Sequence, residues 1–274
     1  MNMGLIEFIK YIFMINILGM GNQIINLITP LEVHDLTFAI GLFLIYFIMN
    51  IKNIEHFRKT KIIISILLVI IGLKRVEIIA LLIVFVLSLI LKHITHVKRF
   101  YVIFSLGMIF FAIMFLIFVK NGYFVVLAEK YSIDFMGRLT LYSYASNYYE
   151  IDISFFGSGF TKFSKDFNDL YLNGFRINGH AVPASIHSNI IEQYISLGFL
   201  GFILWSYYIL CHRSISFANH DRLVSNLYFL CTIYLFILYF SDNALTYTLT
   251  QATYFVLPLC VKVFDKNNDY LELI

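Results

Sequence analysis

The sequence predicts an all-α, polytopic integral membrane bundle of about eight transmembrane helices. One large external loop, carrying amphipathic interfacial helices, is expected within it. Three observations predict this class. Of the 274 residues, 60% are apolar and only 14% charged, where a soluble domain carries about 25% charge. Mean hydropathy is +0.80. The apolar residues also gather into runs close to the roughly 20 residues that cross about 30 Å of hydrocarbon. Such a composition excludes a soluble globule, a disordered chain, a collagen-like repeat and a disulfide scaffold. The net charge of +3 is small and scattered, which argues against nucleic acid as a partner.

The N-terminal stretch, Met1 to Lys10, holds Glu7 and lacks a short apolar core with a small-residue cleavage site; it reads as retained. Apolar runs follow at 11–28, 36–51, 62–73, 76–91, 100–119, 190–210, 223–240 and 245–263. The third and fourth are parted only by Lys74 and Arg75. Their flanks decide that they are two short helices. Lys52, Arg58, Lys59 and Lys61 stand before them, and Lys92, Lys98 and Arg99 after. Basic loops prefer the cytoplasm, so the number of crossings between these flanks is even. Arg213 and Arg222 mark another cytoplasmic loop, and Lys262 and Lys266 a cytoplasmic C-terminus. The N-terminus is cytoplasmic by the same alternation. Residues 1–274 are thus expected to form one integral membrane domain, with 120–187 as its external loop. That loop carries six Lys and Arg, but loops of this length translocate regardless of charge.

Within the loop, Phe160, Phe163, Phe167, Leu170 and Tyr171 recur at helical spacing, with Lys162, Lys165, Asp166 and Asp169 opposite. This predicts an amphipathic helix on the outer membrane surface. Arg138–Tyr149 is a second candidate. The loop's many aromatics read either as an interfacial belt or as stacking platforms for sugar rings. Cys211, Cys231 and Cys260 have no CxxC or Cys/His spacing, so no metal site is expected.

Charge in the membrane is costly, by roughly 2.5–3.5 kcal/mol on insertion scales. Arg75, beside Lys74 at the join of two short helices, therefore faces a partner or cavity, or snorkels to the interface. Arg138 is a cation of the external loop. Asn189 and Glu192 have capping-box spacing, which starts a helix near Ile190 and leaves His187 and Ser188 just outside its N-terminus. Such an end offers N–H donors to an anion, and a His there could serve as base or anion donor. Asp242 reads as a polar turn or as partner to an external Arg. Arg176, His180 and His34 are candidates of the same kind.

Together these residues resemble a known pattern. His187-Ser-Asn189-Ile-Ile-Glu192-Gln-Tyr-Ile-Ser-Leu197-Gly198-Phe-Leu-Gly201 is similar to the H-N-x-x-L-x(5)-L-G-x-x-G segment of the O-antigen polymerase and ligase superfamily. Gly137-Arg138 followed by Phe156-Gly157-Ser158-Gly159 resembles that family's G-R and L-F-G-x-G elements. Leu73-Lys74-Arg75 resembles its S-R or K-R element. The matches occur in the family's order and cover about residues 62–263. In two places the pattern departs: Ser196 stands where an acid is often found, and Ser188 follows the His, with Asn189 one place late. Family members commonly have ten or more spans, so the chain is expected to be N-terminally short of them.

The resemblance implies a metal-independent, cofactor-free glycosyltransferase in the bacterial cytoplasmic membrane. It would polymerise undecaprenyl-pyrophosphate-linked repeat units into surface polysaccharide at the outer face. In this reading Arg75 and Arg138 hold the pyrophosphates as bidentate forks, and His187 orients or deprotonates the acceptor hydroxyl. Lys74, Arg176, His180, Ser188, Asn189 and Asp242 contact the substrate. Implied partners are the lipid-linked oligosaccharide, membrane lipids, a flippase and a chain-length regulator. The alternatives are a ligase that moves finished glycan to a lipid core, and, less well matched, a flippase or transporter. The last would carry mid-depth charge, which the spans after residue 100 almost lack.

Overall fold

The computed structural model describes residues 33–49, 58–72, 74–131, 138–160, 162–174, 176–177, 180–181, 186–219 and 221–257. The predicted span at 11–28, and Leu73, Gly137 and Cys260, lie outside them. The described elements are α1 (Val33–Ile48), α2 (Arg58–Gly72), α3 (Arg75–His93), α4 (Val97–Lys120), α5 (Tyr123–Lys130), α6 (Arg138–Ala145), α7 (Lys162–Leu172), β1 (Arg176–Ile177), β2 (His180–Ala181), α8 (Asn189–Tyr207), α9 (Arg213–Ala218) and α10 (Arg222–Leu238). A further helix, α11, runs over 248–257. A 3-10 turn, Ser146–Tyr148, extends α6, and a π-helical turn, Tyr208–His212, joins α8 to α9.

A described helix falls on each predicted apolar run except the first. Three are long and apolar enough to cross a membrane: Arg75–His93, Val97–Lys120 and Asn189–Ala218. The predicted break at Lys74–Arg75 is present, since α2 ends at Gly72 and α3 begins at Arg75. The fold is all-helical as expected, apart from one short antiparallel hairpin of β1 and β2, in which Arg176 pairs with Ala181 and Ile177 with His180.

The described residues fall into two compact units. The first contains α1, α2, α3, most of α10, and α11. Here α1 packs on α2 and α3. The Asp35 carboxylate accepts from the backbone N–H groups of Leu249 (2.9 Å) and Thr250 (2.6 Å), at the start of α11. An acid there satisfies orphan donors and suits the positive end of the helix. Asp221 does the same for α10, accepting from Leu223 and Val224. In the middle of the unit, Glu77 is fully buried on α3. Its Oε1 lies 3.2 Å from the Tyr234 hydroxyl, and that hydroxyl lies 3.2 Å from the Phe38 carbonyl. Gly41 gives them room: a Cβ there would strike the Tyr234 ring and hydroxyl and the Glu77 carboxyl. An acid inside an apolar run was the signal for Glu77, and the sequence reading passed over it.

The second unit contains α4 to α9 with residues 236–245. Lys120, at the end of α4, donates to the carbonyls of Ser146 (2.9 Å) and Tyr149 (2.7 Å) and pairs with Glu150 at 2.9 Å. The Tyr149 hydroxyl donates back to Leu116 O at 3.0 Å. These bonds fix the loop after α6 to the top of α4. The amphipathic helix forms as α7, but its apolar stripe meets protein. Phe163 packs edge-on to Tyr148 and Phe167 lies beside Tyr144, and both phenylalanines are buried. Phe160 falls outside the helix and, like Tyr171, is exposed. The 3.6-residue period located the helix; what its stripe would meet was not in the period.

The longest span is not one smooth helix. Gly198 has φ 72° and ψ −177°, which breaks α8 into halves 189–197 and 199–207. That backbone region belongs almost solely to glycine. A break leaves helical N–H and C=O groups without intrahelical partners. Residues 155–159 supply them: Ser158 N donates to Ile195 O (2.8 Å), Gly159 N to Ser196 O (3.0 Å), and Phe199 N to Phe155 O (2.9 Å). The two backbones touch. A Cβ on Gly157 would meet Gly198 N, Ser196 O and the Leu197 carbonyl carbon, and one on Gly198 would meet the Phe155 and Phe156 backbone. The spacing of Gly157 and Gly198 therefore has a mechanical meaning.

Gly198→Ala and Gly157→Ala should each lower the melting temperature of the purified protein in detergent by several degrees. Strain in that backbone region costs about 1–3 kcal/mol, and the clash adds to it. Gly107→Ala is the control. It lies mid-helix with nothing within 4 Å of an added Cβ and should leave the melt unchanged or raise it, since Ala favours helix over Gly by about 1 kcal/mol.

Candidate active site

The second unit gathers several of the predicted residues around the start of α8. Ser188 is its N-cap, with extended backbone and a side chain that accepts from Ile191 N at 3.4 Å. This corrects the expected capping box: the helix starts one residue early, and Glu192 is not its reciprocal cap. Glu192 instead accepts from Ser164 Oγ at 2.5 Å and from Asn189 Nδ2 at 3.5 Å. It ties α8 to α7, a partnership no local spacing could reveal.

The first-turn donors of α8 are all committed to protein. Asn189 N donates to Asp242 O (3.4 Å), Ile190 N to Tyr239 O (3.1 Å) and Glu192 N to Ser188 O (3.1 Å), while Ile191 N is held by the cap. The expected N–H cradle for an anion is thus occupied by the turn that follows α10. The remaining positive end of the helix still favours nearby negative charge. Asn189 Oδ1 accepts from Leu245 N at 2.9 Å, and Asp242 Oδ1 from Asn243 N at 2.8 Å. Ser188, Asn189 and Asp242 are buried, and their hydrogen bonds build this turn.

His187 stands immediately before the cap with φ 54°, the left-handed region that non-glycine residues rarely enter. It is half-buried, with Nδ1 inside. The Tyr142 hydroxyl lies 3.2 Å from both the His187 and the Phe240 carbonyls. Tyr142 is buried and packs edge-on to Phe115. One turn earlier on the same short helix, α6 opens with half-buried Arg138. A cation at the start of a helix opposes the helix dipole, so Arg138 gains nothing there from its own element. Burial is the largest influence on the Tyr142 phenol and raises its pKa above the ordinary range. Arg138 opposes the shift, Asp242 adds to it and a hydrogen bond with Ser188 opposes it. Arg138, Tyr142, His187, Ser188, Asn189 and Asp242 therefore form one cluster. Arg176 is exposed on β1, and the backbone of His180 lies on β2. Lys74, half-buried, and Arg75, exposed at the start of α3, belong to the first unit.

Residues 60–206, just over half of the chain, match the O-antigen ligase family. The chain belongs to that family. It is an integral membrane protein and a glycan-transferring enzyme of O-antigen-related polysaccharide biosynthesis, a family that acts on lipid-linked glycans. No curated protein and no solved structure matches it. The matched stretch takes in Lys74, Arg75, Arg138, His187 and both glycines of the α8 break. Tyr142 is the member of the cluster that sequence reading missed. Its only signal was an i, i+4 spacing from Arg138 on a short helix.

The raised Tyr142 pKa has a consequence for stability. The folded protein holds the phenol proton where the unfolded chain, with an ordinary value of about 10, would release it. The contribution of this group is full below about pH 10 and declines as pH rises beyond that. Tyr142→Phe should flatten the alkaline fall in melting temperature, and should cost about 0.5–1.5 kcal/mol near neutrality through the lost hydrogen bond. Melting curves across pH 7–11 check both.

Proposed function

We propose that the protein polymerises undecaprenyl-pyrophosphate-linked oligosaccharide repeat units at the outer face of the bacterial cytoplasmic membrane, with both termini in the cytoplasm. The observation that carries this reading is the cluster around His187. It sets a guanidinium, an imidazole on a strained backbone and a buried phenol about one helix start in a family of glycan-transferring membrane enzymes. Pyrophosphate is already a good leaving group. A positioned cation that takes up its developing charge is electrostatic catalysis, and an arginine fork matches phosphate oxygens two at a time.

Arg138 holds the donor pyrophosphate. His187 orients the acceptor hydroxyl and removes its proton as the glycosidic bond forms. The glycan leaves its lipid pyrophosphate, which departs with the negative charge. Arg75 holds phosphate in its own right, and Lys74, Arg176, His180, Ser188, Asn189 and Asp242 supply contacts to the substrate or hold those that do. No metal or other cofactor enters this scheme. A flippase supplies the repeat units and a chain-length regulator limits the product. A second reading, favoured by the family's description as O-antigen ligase, keeps the same donor chemistry but passes finished glycan to a lipid core.

A deletion strain separates the two. Loss of the glycan ladder with single repeats retained supports the polymerase. Loss of all surface glycan, with polymer still on the carrier lipid, supports the ligase. In chain extension on lipid-linked repeat units, Arg75→Lys, Arg138→Lys and His187→Gln should each lose about 10²-fold or more. Near-normal polymer from all three overturns the site. For orientation, a cysteine at Asn168, exposed on α7, should react with an impermeant reagent on whole cells, and one at Lys59 should not.

A further inference from the structure

Residues 151–160 are hydrogen-bonded to the break in α8, so the depth of that break fixes the depth of the loop. Residues 199–211 rise about 20 Å at 1.5 Å per residue, against roughly 30 Å of hydrocarbon. His212 and Arg213 end the apolar stretch on that side. The missing length, about 10 Å, must come from the half-helix before Gly198. Gly198 therefore lies well inside the apolar layer, and Phe155 to Gly159, bonded to Ile195, Ser196 and Phe199, lie there with it.

Irregular backbone at that depth is tolerated where protein satisfies its polar groups, and the three inter-segment bonds give partners to Ser158 N, Gly159 N and Phe155 O. The side chains follow the same logic. Glu150 is paired with Lys120 at the end of α4, and Asp152 folds back on Ser154 N and Oγ, both at 2.6 Å. From the first residue of α7 the chain again carries exposed charged or polar side chains, at Lys162, Lys165 and Asn168. Between these polar borders, Ile153 is 66% exposed, Phe156 83% and Phe160 66%. Burying one such phenylalanine is worth about 1.5–3 kcal/mol, so water is a poor environment for three large apolar groups on one short loop.

We propose that residues 153–160 form a re-entrant loop that dips into the leaflet on the external loop's side and presents Ile153, Phe156 and Phe160 to lipid acyl chains. This inference is independent of the catalytic reading. It rests only on the membrane span and the loop bonded to its break.

The test uses the single tryptophan of the chain. Trp205→Phe removes it, and Phe156→Trp in that background places the only indole on the loop. In proteoliposomes, lipids brominated on their acyl chains should quench most of this emission, its maximum should be blue-shifted, and aqueous acrylamide should quench it little. Red-shifted emission, open to acrylamide and unaffected by bromolipid, would mean that the loop lies in water, as a sugar-stacking platform would, and overturns the proposal. Should that variant not purify as a monodisperse protein, Phe160→Trp in the same background carries the same test with the same two outcomes.

Discussion

In a bilayer every backbone polar group needs a protein partner, and the contact between Gly157 and Gly198 meets that demand at the one place where a described span is broken. Gly198 turns the chain out of the helix. The carbonyls of Ile195 and Ser196 and the N–H of Phe199 then lack helical partners. The loop at 155–159 answers each of them. Only glycine lets the two backbones approach so closely, because any Cβ would meet a carbonyl or amide of the other strand. The rest of the second unit follows from this joint. It sets where the half-helix 189–197 ends, while Ser188 caps its start. It also holds the chain leading from α6, and with it Arg138 and Tyr142, beside His187.

The first unit shows the same economy with different parts. Its buried acid, Glu77, meets the Tyr234 hydroxyl across a glycine, and an exposed arginine stands two residues before it. A carboxyl in an apolar span is expensive, and it persists where a hydrogen-bond donor and a fitted space are built around it. Lys74 lies within electrostatic reach. The helix ends of this unit are likewise closed by side chains from elsewhere in the sequence. Asp35 caps α11, and the Arg222 guanidinium donates to Leu91 O near the end of α3 at 3.2 Å.

The cluster around His187 differs in kind, because its strain and its charges are not explained by stability. A histidine at positive φ costs free energy, and an arginine at the head of a helix opposes the dipole. The histidine is held by neighbours whose bonds are otherwise structural: the Tyr142 hydroxyl and the Ser188 cap that follows it. The amide donors of α8 are already committed to that turn. In the proposed reading, recognition of an anion in this unit therefore falls to side chains, above all to the Arg138 fork, and not to a backbone nest.

The sequence alone determined the membrane character, the position of the apolar helices, the break at Lys74–Arg75 and the family, because these depend on local composition, period and ordered motifs. The amphipathic helix at 162–172 was legible for the same reason. Tertiary structure decided what each face met. Phe163 and Phe167 found Tyr148 and Tyr144, Glu192 found Ser164, and the amides at the head of α8 found Asp242 and Tyr239. Each of these partners stands about 15 to 50 residues away along the chain. Tyr142, Glu77 and the Gly157–Gly198 joint were written in the sequence as letters, but a side chain's partner is a property of packing, which no local period encodes.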